Sequence, residues 1–119
     1  MPQKRTSDSG RLAEDYASKL IASKGYKIID RNFHSRFGEI DIVATKDSVL
    51  VFVEVKARWS RKFGAPEEAV TRSKLFKIQK TGEYYSLLHP ELPKKLRIDV
   101  VALTIEGGRI LSEKVIQVF

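Results

Sequence analysis

The sequence predicts an α/β fold: a mixed central sheet flanked by helices. Two stretches carry apolar residues at the 3.6-residue spacing of a helix face. Several shorter runs are rich in β-branched and aromatic residues, as strands are. Their order along the chain is helix, three strands, helix, strand, which suits a sheet covered by helices.

The elements follow in turn. Residues 1–8 are a polar arm, expected to be mobile. Ser7, Asp8 and Ser9 are candidate N-caps, and Leu12, Ala13, Tyr16, Ala17, Leu20 and Ile21 form the stripe of a helix that ends near Ser23, before Gly25. Residues 26–33 read as a strand and 34–37 as a turn. Residues 38–45 and 49–57 read as two strands joined by a tight polar turn, so they should pair as an antiparallel hairpin. A basic, irregular loop covers 59–66, and Pro66 opens a helical turn with Glu67 and Glu68. Residues 73–88 form the second helix, with Leu75, Ile78, Tyr85 and Leu88 as its stripe, and Pro90 and Pro93 terminate it. Strands over 96–105 and 109–119 flank a turn at Gly107 and Gly108.

A chain of 119 residues has the size of one domain, so 1–119 is read as a single unit. No cysteine is present, which excludes disulfides, thiolate metal sites and cysteine nucleophiles. No apolar run approaches the roughly 20 residues of a membrane helix, and the first residues lack the apolar core of a signal peptide. A cytoplasmic protein without membrane attachment is the expectation. The net charge is +7, and residues 56–80 alone hold eight bases against two acids. So basic a segment favours a polyanion, and a nucleic-acid backbone is the expected partner.

The chemistry concentrates on the hairpin. Side chains alternate faces along a strand, so Glu39 and Asp41 share one face and Ile40 and Ile42 the other. On the next strand Glu54 and Lys56 share a face with Phe52, opposite Val51, Val53 and Val55. Carboxylates gathered on neighbouring strands repel each other unless a positive charge sits among them. Lys56 supplies one, and a hard divalent cation is the other candidate, since carboxylate oxygens suit Mg²⁺ or Mn²⁺. A metal held by Asp41 and Glu54 would bind a phosphate oxygen and acidify a water, while Lys56 oriented that water. The carbonyl of Val55 is a further candidate ligand. An acid, twelve residues, then Glu-x-Lys on strand-patterned runs is the signature of PD-(D/E)xK nucleases. A surface ladder of ion pairs is the competing reading.

The chain resembles the YraN family of bacterial proteins. The matching stretches are Gly10-x-x-Ala13-Glu14-x-x-Ala17, Gly25-Tyr26, Arg31-Asn32 and Gly38-Glu39-Ile40-Asp41-Ile42-Val43-Ala44. They continue with Phe52-Val53-Glu54-Val55-Lys56-Ala57-Arg58, Phe63-Gly64-x-Pro66-x-x-Ala69-Val70, Lys74 and Arg97-x-Asp99-Val100-Val101. That family looks like the restriction-endonuclease-like superfamily and is similar to archaeal Holliday-junction resolvases. The resemblance implies a restriction-endonuclease-like core with a divalent-metal site at Asp41, Glu54 and Lys56. It implies that Glu14 approaches the site from the first helix as a further metal ligand, with a solvated helix residue or a partner of the helix dipole as the competing reading. Glu39 either binds metal directly or steadies the ligands.

Arg58, Arg61, Lys62, Lys74 and Lys77 are the candidate phosphate contacts, and Trp59 is a candidate base-stacking residue. Phe63 is assigned to packing. His34 and His89 lack local partners for zinc or general-base work. Asp99 is assigned a structural role, paired with Arg97 or another buried base. The function expected is Mg²⁺- or Mn²⁺-dependent endonucleolytic cleavage of DNA, with branched DNA as a candidate substrate. A nucleic-acid-binding module that cuts little is the alternative. The exposed last strand offers an edge to a second copy, so a homodimer is carried as an expectation.

Overall fold

Helix α1 spans Asp8–Ser23 and is followed by strands β1 (Lys27–Ser35), β2 (Gly38–Lys46) and β3 (Val49–Arg58). A 3-10 turn at Pro66–Ala69 leads to helix α2 (Arg72–Leu88), then β4 (Leu96–Glu106) and β5 (Arg109–Gln117). This computed structural model describes residues 8–59 and 64–119, with side chains from Gly10 onward. Asp8 and Ser9, offered as N-caps, instead lie inside the first turn of α1, while Ser7, the arm before it, and Arg61, Lys62 and Phe63 lie outside what is described. Every other element stands within two residues of its expected bounds.

The strands form one sheet in the order β1-β2-β3-β4-β5. All neighbours are antiparallel except β3 and β4, which run parallel because the chain crosses over through α2 between them. The mixed sheet flanked by helices is the one the sequence predicts. The β2–β3 turn is two residues long, and Asp47 and Ser48 both take positive φ, at 51° and 65°. Two such residues match the twist of a hairpin, which is why so short a polar link suffices. Thr71 caps α2, its hydroxyl accepting from the Lys74 N–H at 3.2 Å.

Alternation along β3 builds two cores. Val51 and Val53 pack with Ala13, Ala17 and Ile21 of α1. Leu50 and Phe52 pack with Ile78 and Tyr85 of α2. The helices therefore cover opposite faces of the sheet. Leu12, Tyr16 and Leu88, assigned to the helical stripes, are exposed instead. On α1 the small Ala13 and Ala17 let the helix lie close to the sheet, which leaves Leu12 outside the contact. Asp99, buried on β4, accepts from Arg97 Nε at 2.9 Å and from the Tyr26 hydroxyl at 2.5 Å. Its structural role is thus as expected, and its charge is not left unpaired.

Buried Thr81 and Gly82 set how closely α2 approaches the sheet. A Cβ at Gly82 would stand 2.5 Å from Cε2 of Phe52, itself fully buried. Helix propensity alone favours alanine over glycine by about 1 kcal/mol. Displacing a packed ring costs about 1–3 kcal/mol and outweighs it. Gly82→Ala should therefore lower the melting temperature by several degrees in a thermal-unfolding experiment, against the trend for exposed helical glycines.

Candidate active site

The site lies where β2 and β3 part. Their pairing runs from Lys46 opposite Val49 to Ile42 opposite Val53. Beyond that point β3 continues beside β4 as far as Arg58, while β2 runs back beside β1 to Gly38. The first residues past the last pair are Asp41 and Glu54. Past the last β2–β3 pair, the Val55 N–H donates to Asp41 Oδ2 at 2.8 Å. A side chain thus replaces the next rung of the ladder and props the fork open.

The fork also bends β2. Its ladder with β1 pairs Arg31 with Ile42 and then Phe33 with Ile40, passing over Asn32 and Asp41. Asn32 has a left-handed φ of 56°, uncommon for a residue with a Cβ. Plain alternation puts Ile40 and Ile42 on one face. Instead Ile42 joins the α1 core and Ile40 joins the α2 core beside Val43. The irregularity breaks the two-residue period at Asp41.

A cleft of about 430 Å³ opens in the fork. Glu39 and Asp41 of β2 and Glu54, Val55, Lys56 and Ala57 of β3 form its floor. Gly10, Ala13 and Glu14 of α1, Lys74 of α2 and Trp59 form its walls. Asp41, Glu54 and Lys56 are therefore gathered in one place, and so are Glu14 and Glu39. Glu54 is only 4% exposed. Lys56 Nζ lies 3.6 Å and Lys74 Nζ 3.7 Å from its Oε2, so two ammoniums meet one carboxylate oxygen. Glu39 stands 3.9 Å from His34 Nδ1.

Electrostatics follow the geometry. Burial pushes the Asp41 carboxyl up to about 7, and the neighbouring Glu54 carboxylate pushes the same way. The Val55 N–H and the Lys74 ammonium oppose the shift. Glu14 is raised as well, first by burial and then by Asp41, against hydrogen bonds from Asn32 and Arg31. Arg31 Nη2 lies 3.5 Å from Glu14 Oε1 and its Nη1 2.9 Å from Asp15 Oδ1. The three acids thus sense one another in the order Glu14, Asp41, Glu54.

The donor set is two-sided as a metal site. Among the described residues no group of three carboxylate or histidine side chains converges into a ready cage. Asp41 and Glu54, however, are within hydrogen-bond reach of each other and repel when both are charged. Mg²⁺ commonly takes one or two carboxylates, several waters and a substrate phosphate rather than an all-protein cage. The pair fits that mode.

The basic residues divide. Lys74, assigned to a phosphate-binding surface, reaches into the cleft itself. Lys77 is exposed one helical step further along α2. Arg58 is half-buried and its Nε has no hydrogen-bond partner among the described residues. Asn32 was given no role by sequence reasoning. The available signal was its place beside Arg31 in a matched motif, but the left-handed backbone that makes it matter leaves no periodic trace.

The native state keeps a proton on Asp41 up to about pH 7, whereas an unfolded Asp loses it near pH 4. Between those values the native state binds more protons, so stability falls as pH rises. In EDTA the melting temperature of the wild type should drop from pH 4.5 to 7.5 relative to Asp41→Asn. The variant should be the more stable of the two at pH 7.5. Parallel pH profiles would show that Asp41 carries no such strain.

The model of the Uncharacterised protein family UPF0102 matches residues 13–103. A UPF0102 protein of Syntrophomonas wolfei is 42% identical over 110 residues, covering 92% of this chain and 96% of that protein. One of Caldicellulosiruptor bescii is 46% identical over 99 residues, covering 82% and 83%. Among solved structures, a repair endonuclease from Pyrococcus abyssi superposes with a TM-score of 0.43 at 18% identity over 91% of this chain. An EndoMS-dsDNA2 complex gives 0.44 at 16% identity over 91%. This chain spans only 42% and 40% of those two. The match over residues 13–103 and the two bacterial relatives agree with the resemblance drawn from the motifs, and the chain belongs to the UPF0102 family.

Proposed function

We propose that this protein hydrolyses phosphodiester bonds of DNA with the help of Mg²⁺ or Mn²⁺. The observation that carries this reading is the fork. Asp41 and Glu54 face each other across it, and Lys56 and Lys74 both stand within 4 Å of Glu54. Asp41 and Glu54 would hold the cation, with Glu14 and Glu39 beside them. When bound, the cation would neutralise phosphate charge and lower the pKa of a water.

The chain's own residues account for the rest. The Val55 N–H fixes the Asp41 carboxylate, so its second oxygen is aimed rather than free to rotate. Lys56 and Lys74 bring two ammoniums to the place where a phosphate gains negative charge as water attacks phosphorus. Asp41, which burial and the Glu54 carboxylate keep protonated, would give up that proton to serve as a ligand. The basic stretch that includes Lys74 and Lys77 supports DNA as the polyanion. So do the resemblance to resolvases and the net charge of +7. Branched DNA as the substrate, a cytoplasmic location and a homodimer through β5 remain part of this proposal. Among the described residues no helix is long and apolar enough to cross a membrane.

A second reading has one observation in its favour. Glu54 is already neutralised by two lysines, and among the described residues no three-carboxylate cage is formed. That arrangement also suits a module that binds nucleic acid without cutting it. Labelled linear, single-stranded and four-way-junction DNA incubated with Mn²⁺ separates the two. Wild type should cut at least one of them, and Asp41→Ala and Lys56→Ala should each lower the rate by about 100-fold or more. Equal inactivity of all three proteins, with binding that persists in EDTA, would establish the binding module.

A further inference from the structure

We propose that the tip of the β1–β2 hairpin and the outer face of α2 form a stacking platform for an unpaired base. The strand carrying that base is the one whose phosphate lies in the cleft. The proposal rests on the phosphodiester reading and deepens it, naming DNA with a single-stranded segment beside the cleft as the substrate class.

The platform is aromatic and cationic at once. Phe37 is 37% exposed and Tyr84 is 38% exposed, with ring centroids 5.5 Å apart. Their planes meet at 61°, so the rings do not cover each other face to face. The Arg36 guanidinium stands 5.1 Å from the Phe37 centroid. One turn back on α2, Lys80 Nζ lies 5.7 Å from the centroid of exposed Phe76. Glu83, the acid of this face, is engaged by Gln79 at 3.4 Å.

Protein-binding patches are depleted of lysine, whereas single-stranded nucleic acid is held by aromatic rings set among cations. Charge complementarity therefore favours the nucleic acid over a second copy of the chain. A base inside an intact duplex is stacked on both sides and offers no face to a ring. The platform consequently demands an unpaired one.

The platform adjoins the cleft. Phe37 precedes Glu39 by two residues, roughly 7 Å along an extended chain. Lys77 bridges the two regions, one helical step from Lys74. Gly38 packs against this turn of α2: a Cβ there would lie in ordinary contact with Lys77 Cβ at 3.7 Å and tightly against Thr81 Oγ1 at 3.1 Å. A backbone held at Lys74 thus passes Lys77 on its way to the rings.

The test is fluorescence anisotropy in EDTA, where nothing is cut, comparing a blunt duplex with the same duplex carrying a single-stranded overhang. Wild type should bind the overhang about tenfold more tightly, the size expected for one stacked base. Phe37→Leu and Tyr84→Leu should each lose most of that preference and leave blunt-duplex affinity unchanged. Both residues are exposed, and thermal melting checks that each variant folds. No preference in the wild type, or its retention in both variants, would overturn the proposal. So would a concentration-dependent dimer in sedimentation that Phe37→Leu abolishes, since a second copy would then occupy the face. Because binding is read without metal, failure here is separable from failure to cut with Mn²⁺.

Discussion

The parting of β2 from β3 after Ile42 and Val53 governs everything at the functional end of this protein. A regular hairpin would bury Asp41 and Glu54 as one more cross-strand pair, with two like charges side by side. Separation turns the pair into the floor of a cleft. The Asp41 carboxylate takes over the Val55 N–H, so the fork costs no unsatisfied donor at that position. The α2 crossover makes β4 a parallel neighbour of β3, and β4 supports β3 through Arg58 where β2 has left it.

Charge balance follows from that geometry. Four acids line the cleft from α1, β2 and β3, and burial works against ionising Glu14 and Asp41. Lys56 and Lys74, from different elements, converge on Glu54. Arg31 and Asn32 attend Glu14 at the far side. A cluster that keeps a proton because its acids are buried and crowd each other is a place that gains from a cation. Sites of this kind trade stability for reactivity.

The sequence made the scaffold legible because its signals are periodic. The alanines of α1, the β-branched run of β3 and the two-residue turns each have one strong local solution. Asp41, Glu54 and Lys56 were legible from spacing, and Glu14 from resemblance alone. What stayed hidden depended on broken periods or on distance. Ile40 was assigned to the wrong face because Asn32 and Asp41 interrupt the ladder, and nothing in the residue pattern marks a left-handed asparagine. Lys74 read as surface charge because its approach to Glu54 depends on how α2 docks. That docking is set by Gly82 against Phe52, thirty residues earlier in the chain. Leu12, Tyr16 and Leu88 were misplaced because a stripe shows which residues are apolar, not how wide the contact is.

The claim at the centre is that the fork between Asp41 and Glu54 is a divalent-cation site. Titrating metal-free protein with Mn²⁺, followed by electron paramagnetic resonance, addresses it most directly. One Mn²⁺ should bind per chain, and Asp41→Asn and Glu54→Gln should each weaken it by at least tenfold. Binding that both variants retain unchanged, or a wild type that takes up no Mn²⁺ even with DNA present, would contradict it.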